Sequence, residues 1–69
     1  MERTALVRLI AHNDQDIFID PSVVYAVTPG MPGTSVVEWW MDRINGKSTG
    51  TSAKGTPREV MEALGIPWR

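Results

Sequence analysis

The chain has no cysteine, and it has one histidine, one tyrosine and one phenylalanine among its 69 residues. Without cysteine it has no disulfide, no thiolate metal ligand and no cysteine nucleophile. Because His12 stands alone, no second imidazole is available for a histidine-rich metal site or a histidine relay. These absences disfavour most enzyme classes. We therefore predict a protein that is not an enzyme and that has no cofactor and no metal site.

Long apolar runs are missing as well. The longest, residues 23–27, and shorter ones such as residues 5–7 are far shorter than the roughly 20 residues that a membrane-spanning helix needs. The first residues mix acidic and basic side chains, unlike a signal peptide. We therefore expect a cytoplasmic protein with no membrane partner.

The chain is close to the smallest size that folds alone. A single domain of this length, residues 1–69, buries only about 60% of the surface that its unfolded chain exposes. Small cores of this kind are often completed by another copy. We therefore expect a homo-oligomer.

Neither sign of charge dominates, but the charges are unevenly placed. Residues 1–42 carry two cationic and six acidic side chains, a sum of −4, whereas residues 43–69 carry five and two, a sum of +3. The simplest interpretation is ordinary solvated charge, and the alternative is a field that steers head-to-tail contacts between copies. Because the total is −1, a duplex nucleic acid is not an expected partner.

Period-two patterns predict that the first part of the chain is extended. Residues 5–11 are mostly aliphatic, with Arg8 on the opposite face from Val7 and Leu9. After a polar turn, residues 16–19 resume the pattern, and we predict that the two strands pair as a hairpin.

Proline and glycine divide the middle of the chain. Residues 20–22 predict a one-turn or bulged corner, followed by a strand at 23–27. Residues 28–33 contain two prolines and two glycines, which predicts an exposed irregular connection.

A second hairpin is expected around Asn45-Gly46. Residues 35–44 alternate as a half-buried strand does, with a helix as the competing interpretation. The Asn-Gly pair favours the strand, because it suits a type I′ hairpin turn with positive φ at both positions. Residues 47–53 then return as an edge strand or partly as a loop, because serine, threonine and glycine supply little core.

The C-terminal region predicts a helix over Pro57–Leu64. Thr56 and Glu59 have the spacing of a capping box. Gly65 suits the left-handed position after the helix, and Ile66 can fold back as its hydrophobic contact. The side chains expected to face the sheet are Val60, Met61 and Leu64.

These elements predict a small α+β fold, a twisted antiparallel sheet of about four strands with one C-terminal helix. The layout resembles the flagellar FlbD-like family of very short β-rich proteins and phage accessory proteins of similar size. The resemblance covers residues 16–61 and implies the fold more than the function. The residues that carry it are Phe18, Asp20-Pro21, Val24, Val27, Pro29, Thr34, Val36, Asn45-Gly46-Lys47 and Arg58-Glu59-Val60.

Residues 46–58 hold a candidate anion site. Gly46-Lys47-Ser48 is not a Walker A motif, because Met41 stands where that motif needs glycine. Cations and hydroxyls nonetheless precede a helix start, where free amides favour anions. The alternative is a solvated edge segment followed by an ordinary cap. The candidate ligand-binding residues are Lys47, Ser48, Lys54, Thr56 and Arg58.

Trp39 and Trp40 are the candidate partner-binding residues, together with Met31 in the Pro-Gly connection. Neighbouring residues of a strand point to opposite faces, so one core cannot bury both tryptophans. Either the Pro-Gly connection or Trp68 covers the second one, or another chain does. His12, by contrast, is expected to be an ordinary turn residue.

We therefore expect a non-catalytic binding protein, a phage or bacterial accessory protein that modulates a host protein. One alternative is a homo-oligomer that sequesters an anionic small molecule such as a nucleotide. Another is a weak binder of single-stranded nucleic acid that stacks bases on Trp39 or Trp40.

Overall fold

The structure is a computed structural model that describes residues 6–67. Within these residues, five strands, one 3-10 turn and one α-helix follow each other, which confirms the α+β class. The elements are β1 (Val7–Ile10), β2 (Asp16–Ile19), the 3-10 turn (Pro21–Val23), β3 (Val24–Pro29), β4 (Thr34–Asp42), β5 (Lys47–Lys54) and α1 (Pro57–Leu64).

The strands divide between two antiparallel sheets, instead of forming the single sheet of about four strands that we expected. β1 pairs with β2, and β3, β4 and β5 pair in that order. One bridge between Ala11 and Ala53 joins the sheets, next to a hydrogen bond of 3.1 Å from the His12 amide to the Ser52 carbonyl. The division arises because the 3-10 turn separates β3 from β2 and starts a new meander.

The first hairpin follows its sequence pattern. Arg8 is exposed on the outer side and Leu9 is buried on the inner side, as expected. The turn uses the properties of its polar residues: Asp14 has a φ of 69°, and the Asn13 side chain accepts a hydrogen bond from the Gln15 amide at 3.3 Å. The expected strand start at Ala5 lies outside the described residues.

The corner between the sheets is both a single turn and a bulge. The Asp20 carboxylate caps the 3-10 turn by accepting from the Ser22 amide at 2.9 Å. The register between β3 and β4 then shifts at Tyr25. β3 continues to Pro29, two residues further than the predicted strand, because an edge strand tolerates a proline that donates no hydrogen bond.

The β4–β5 hairpin is confirmed, but its turn differs from the type I′ prediction. β4 ends at Asp42, and a loop of residues 43–46 leads to β5. Only Gly46 of the Asn-Gly pair has a positive φ, of 70°. Asn45 is instead held by Asp42, whose carboxylate accepts from the Asn45 side-chain amide at 2.6 Å and from its backbone amide at 3.3 Å. β5 is a strand along its whole length, paired with β4 from Lys47 to Lys54.

The helix begins and ends as predicted. Thr56 Oγ1 accepts from the Glu59 amide at 3.2 Å, and the Glu59 carboxylate accepts from the Thr56 amide at 2.9 Å. At the other end Gly65 has a φ of 76°, and the Ile66 amide bonds the Met61 carbonyl at 2.9 Å. This end is the expected Schellman arrangement.

The core lies between α1 and the inner faces of both sheets. Val60 and Leu64 of the helix are buried there, and Met61 is half-buried. Ser35 is a buried polar residue, and its hydroxyl donates to the Gly55 carbonyl at 2.8 Å, which ties the approach to the helix to β4. The buried core residues are Leu9, Ile19, Val37, Ala53, Val60 and Leu64.

Candidate partner-binding face

The three-stranded sheet has one face toward the helix and one face away from it. Val37 and Ala53 point into the core, so the residues that alternate with them point outward. We call this second surface the outer face. Its members are Tyr25, Ala26, Thr28, Val36, Glu38, Trp40, Ser48, Gly50 and Ser52.

An aromatic pair lies at one end of the outer face. The ring centroids of Tyr25 and Trp40 are 4.7 Å apart and the rings are tilted by 32°. The Tyr25 hydroxyl donates to Ser48 Oγ at 3.2 Å. Tyr25 is still 45% exposed, so the pair presents apolar ring surface to solvent.

The two tryptophans point to opposite faces, as predicted. Trp39 packs against the core cluster, opposite Val24 of β3. Trp40 contacts Tyr25 on the outer face and is half-buried. Its neighbour in the structure is thus Tyr25, and the alternative cover, Trp68, lies outside the described residues.

Sequence reasoning missed Tyr25. The period-two pattern of residues 23–27 gave no reason to place it beside Trp40, because the register shift at Tyr25 changes the phase of β3 against β4. The prediction of a bulged corner was the one signal that pointed to such a shift.

Small residues line the β5 side of the outer face. Gly50 lies opposite Glu38, and a Cβ at Gly50 would come within 2.9 Å of the Val37 carbonyl oxygen and 3.0 Å of Glu38 Cγ. Ser48 and Ser52 flank Gly50 on the same side. The outer face along β5 therefore carries only small side chains, and the larger rings of Tyr25 and Trp40 lie at one end of it.

Met31 lies apart from the aromatic pair. It is 66% exposed in the turn between β3 and β4, where its carbonyl accepts from the Thr34 amide and hydroxyl at 2.8 Å each. Thr34 and Trp40 are six strand residues apart, about 20 Å at the usual rise. The structure therefore does not bring Met31 together with the tryptophans.

The candidate anion-binding residues fall at two separate places. Lys47 and Lys54 stand at opposite ends of β5, about 24 Å apart at the usual strand rise. Ser48 lies at the Lys47 end, beside Tyr25. Of the five candidates, only Lys54, Thr56 and Arg58 lie at the start of the helix, where they are also neighbours in sequence.

At the helix start, most polar groups already have partners within the chain. The Lys54 ammonium pairs with the Asp14 carboxylate. The Thr56 hydroxyl and the Glu59 carboxylate are taken up by the capping box. Anion binding there stays a prediction, and it would have to compete with these contacts.

Residues 6–67 show neither a histidine site nor a metal site. His12 is exposed in the β1–β2 turn, as expected. No group of three or more histidine, aspartate or glutamate side chains is placed to hold a metal ion, and no pocket is found in this part of the chain. Its single helix is also too short to cross a membrane.

Comparison with protein-family models, with curated proteins and with solved structures gave no match. The fold and the outer face thus define the class, a small α+β protein with two antiparallel sheets and an aromatic pair on an open sheet face.

Proposed function

We propose that this chain is a non-catalytic binding protein that engages another protein through its outer face. The observation that carries the proposal is the Tyr25–Trp40 pair on the sheet face away from the helix. Tryptophan and tyrosine supply a large share of the binding energy in protein interfaces, especially when their rings are held in one orientation. The bond from Tyr25 to Ser48 orients the pair in this way.

The shape of the outer face supports a macromolecular partner. Ser48 and Ser52 have small side chains and Gly50 has none, so the β5 side of the outer face carries no bulky group except Glu38, whose side chain lies beside Gly50. A partner would then contact the ring surfaces from the side as well as from above. Glu38 in the middle of the face would favour a cationic group on the partner.

The biological setting belongs to the same proposal. The resemblance to the FlbD-like family and to small phage proteins supports a bacterial or phage accessory protein that modulates a host protein. The small core supports self-association alongside partner binding. A cytoplasmic location is part of the proposal, and the short apolar runs of the sequence support it.

The two alternatives find less support in the geometry. A nucleotide at the helix start would compete with Asp14 for Lys54 and with Glu59 for the cap. A single nucleic-acid strand on Trp40 would meet the carboxylate of Glu38 next to the stacking surface, where cations would be needed.

Site-specific photocrosslinking tests the proposal. A photoreactive phenylalanine analogue replaces Thr28 on the outer face or Glu62 on the exposed side of the helix, and each protein is irradiated in bacterial lysate. We expect one protein to be crosslinked through position 28 and not through position 62. That protein, purified, should bind the wild-type chain in calorimetry.

Substitutions then show whether Trp40 on the outer face contributes to binding of the partner. We expect Trp40→Ala to weaken binding of the purified partner by about tenfold or more, the size of an interface hot spot. Glu62→Ala is the matched surface control and should bind as the wild type does. Equal binding by the folded Trp40→Ala variant would contradict the proposal, and nucleotide binding abolished by Lys54→Ala with Arg58→Ala would support the alternative.

A further inference from the structure

We infer that copies of this chain associate head to tail, through two surfaces that do not include the Tyr25–Trp40 pair. The first is the hairpin tip, made of Met41, Asp42, Arg43, Ile44 and Lys47, from the end of β4 to the start of β5. The second is the hairpin face, made of Leu6, Arg8, Ile10, Asp16 and Phe18 on the outer side of β1 and β2, together with Asp20 directly after β2. The tip of one copy binds the hairpin face of the next.

Both surfaces expose large apolar side chains. At the tip, Ile44 is 95% exposed and Met41 is 71% exposed. On the hairpin face, Leu6 and Phe18 are each 60% exposed. Apolar residues grouped in this way on a small protein are typical of interaction sites. Contact between the two surfaces would bury the exposed apolar side chains of both.

The two surfaces carry opposite charge, which selects a second copy as the occupant. The tip has Arg43 and Lys47 against Asp42, a formal sum of +1. Neither cation is within salt-bridge distance of an acidic group among residues 6–67, and the Asp42 carboxylate is engaged by Asn45.

The hairpin face has the complementary charge. Asp16, and Asp20 directly after β2, stand against Arg8, a formal sum of −1. The Asp20 carboxylate accepts from the Ser22 amide and hydroxyl, which are neutral donors and leave its negative charge in place. Arg8 Nε lies 3.1 Å from Asp16 Oδ1, and the Asp16 side chain is still 51% exposed. A cationic apolar tip and an acidic apolar face are therefore complementary in both respects.

The tip and the hairpin face of the same copy cannot contact each other. β5 meets β1 near Ala53, whereas the tip begins at Lys47, about 20 Å away along the strand. Two different surfaces that pair between copies make a heterologous interface, and such an interface forms rings or open chains.

Light scattering and sedimentation on the full chain test the inference. For the wild type we expect a mass that rises with concentration beyond two chains and that falls when salt is added, because salt screens the charge attraction. Ile44→Ser should remove the tip, Phe18→Ser should remove the hairpin face, and each variant alone should stay a single chain. Met31→Ser, which changes a 66% exposed methionine outside both surfaces, should associate as the wild type does.

The decisive sample is an equimolar mixture of the Ile44→Ser and Phe18→Ser variants. Each retains the surface that the other lacks, so the mixture should form a complex of two chains that does not grow further. Circular dichroism confirms that both variants fold. A wild type that stays a single chain at millimolar concentration, or a mixture that does not associate, would overturn the inference. A dimer that only one of the two substitutions dissociates would also overturn it.

Discussion

Among single residues, Asp42 has the clearest influence on its surroundings. Its carboxylate accepts from the side-chain amide of Asn45 and from the backbone amide of the same residue. These two bonds, in that order, lower the pKa of Asp42, partial desolvation opposes them, and a backbone bond from Ile44 contributes least. The same bonds keep Asn45 out of the positive-φ conformation that a type I′ turn would need.

The pKa of Asp42 should therefore depend on Asn45. We expect Asn45→Ala to move the pKa of Asp42 upward toward its ordinary value, because the largest stabilising bond to the carboxylate is lost. An NMR titration of the side-chain carboxyl measures this directly. An unchanged Asp42 titration in Asn45→Ala would show that the turn does not bind the carboxylate.

The sign of the pH effect follows from the direction of the shift. A carboxyl whose folded-state pKa is lowered stabilises the fold above its unfolded-state pKa. That contribution is lost as the pH falls through the folded-state pKa of Asp42. Acid melts of the wild type should therefore converge with those of Asp42→Asn at low pH.

Among the elements, α1 has the clearest local start signal, the capping box of Thr56 and Glu59. Replacing the capping residue, Thr56→Ala, removes the acceptor of the Glu59 amide and should lower the free energy of unfolding by about 0.5–2 kcal/mol. Urea denaturation measures the change. Glu59→Gln is the matched control, because glutamine still accepts from the Thr56 amide. Equal destabilisation by both variants would contradict the cap.

The pairing of β5 with β4 depends on the absence of a side chain at Gly50. In Gly50→Ala the new methyl group would meet the Val37 carbonyl oxygen at 2.9 Å, which backbone cannot easily avoid. We expect a loss of about 1–3 kcal/mol in the free energy of unfolding. Ser52→Ala, on the same face of the same strand, should change it by less than about 0.5 kcal/mol. A neutral Gly50→Ala would mean that β4 and β5 are further apart there.

Local patterns were enough for some elements and not for others. The helix was predictable to the residue, because Thr56, Glu59 and Gly65 signal its ends within the element itself. The end of β3 could not be predicted in this way. A strand can include Pro29 only where it lies at a free edge of the sheet, because proline has no amide hydrogen to donate. That condition depends on the partner strands and cannot be seen in residues 28–33 alone.

On the scale of the whole molecule, the contact between the two sheets rests on small side chains. Ala11 and Ala53 form the bridge, and both are buried. Ala53→Val would place two further methyl groups at this junction and should lower the free energy of unfolding by about 1–3 kcal/mol. Thermal or urea denaturation measures it, with Ala63→Val on the exposed side of α1 as the control. Equal effects of both substitutions would show that the junction is not tightly packed.

For the candidate sites too, some features follow from the local sequence and others depend on how the strands pair. The opposite directions of Trp39 and Trp40 follow from strand geometry, so the sequence alone predicted them. The separation of Lys47 from the helix start also follows from the length of a strand, but only once residues 47–54 are known to be fully extended. The contact of Trp40 with Tyr25 could not be predicted, because it depends on the register shift between two strands.

The most direct test of the proposed function is the NMR signal of each tryptophan indole while the purified crosslinked partner is added. We predict that the Trp40 indole signal shifts or broadens as the complex forms. The Trp39 indole, which packs against the core, should change much less. An unchanged Trp40 signal in a saturated complex, with the changes confined to Lys54, Thr56 and Arg58, would contradict partner binding through the outer face.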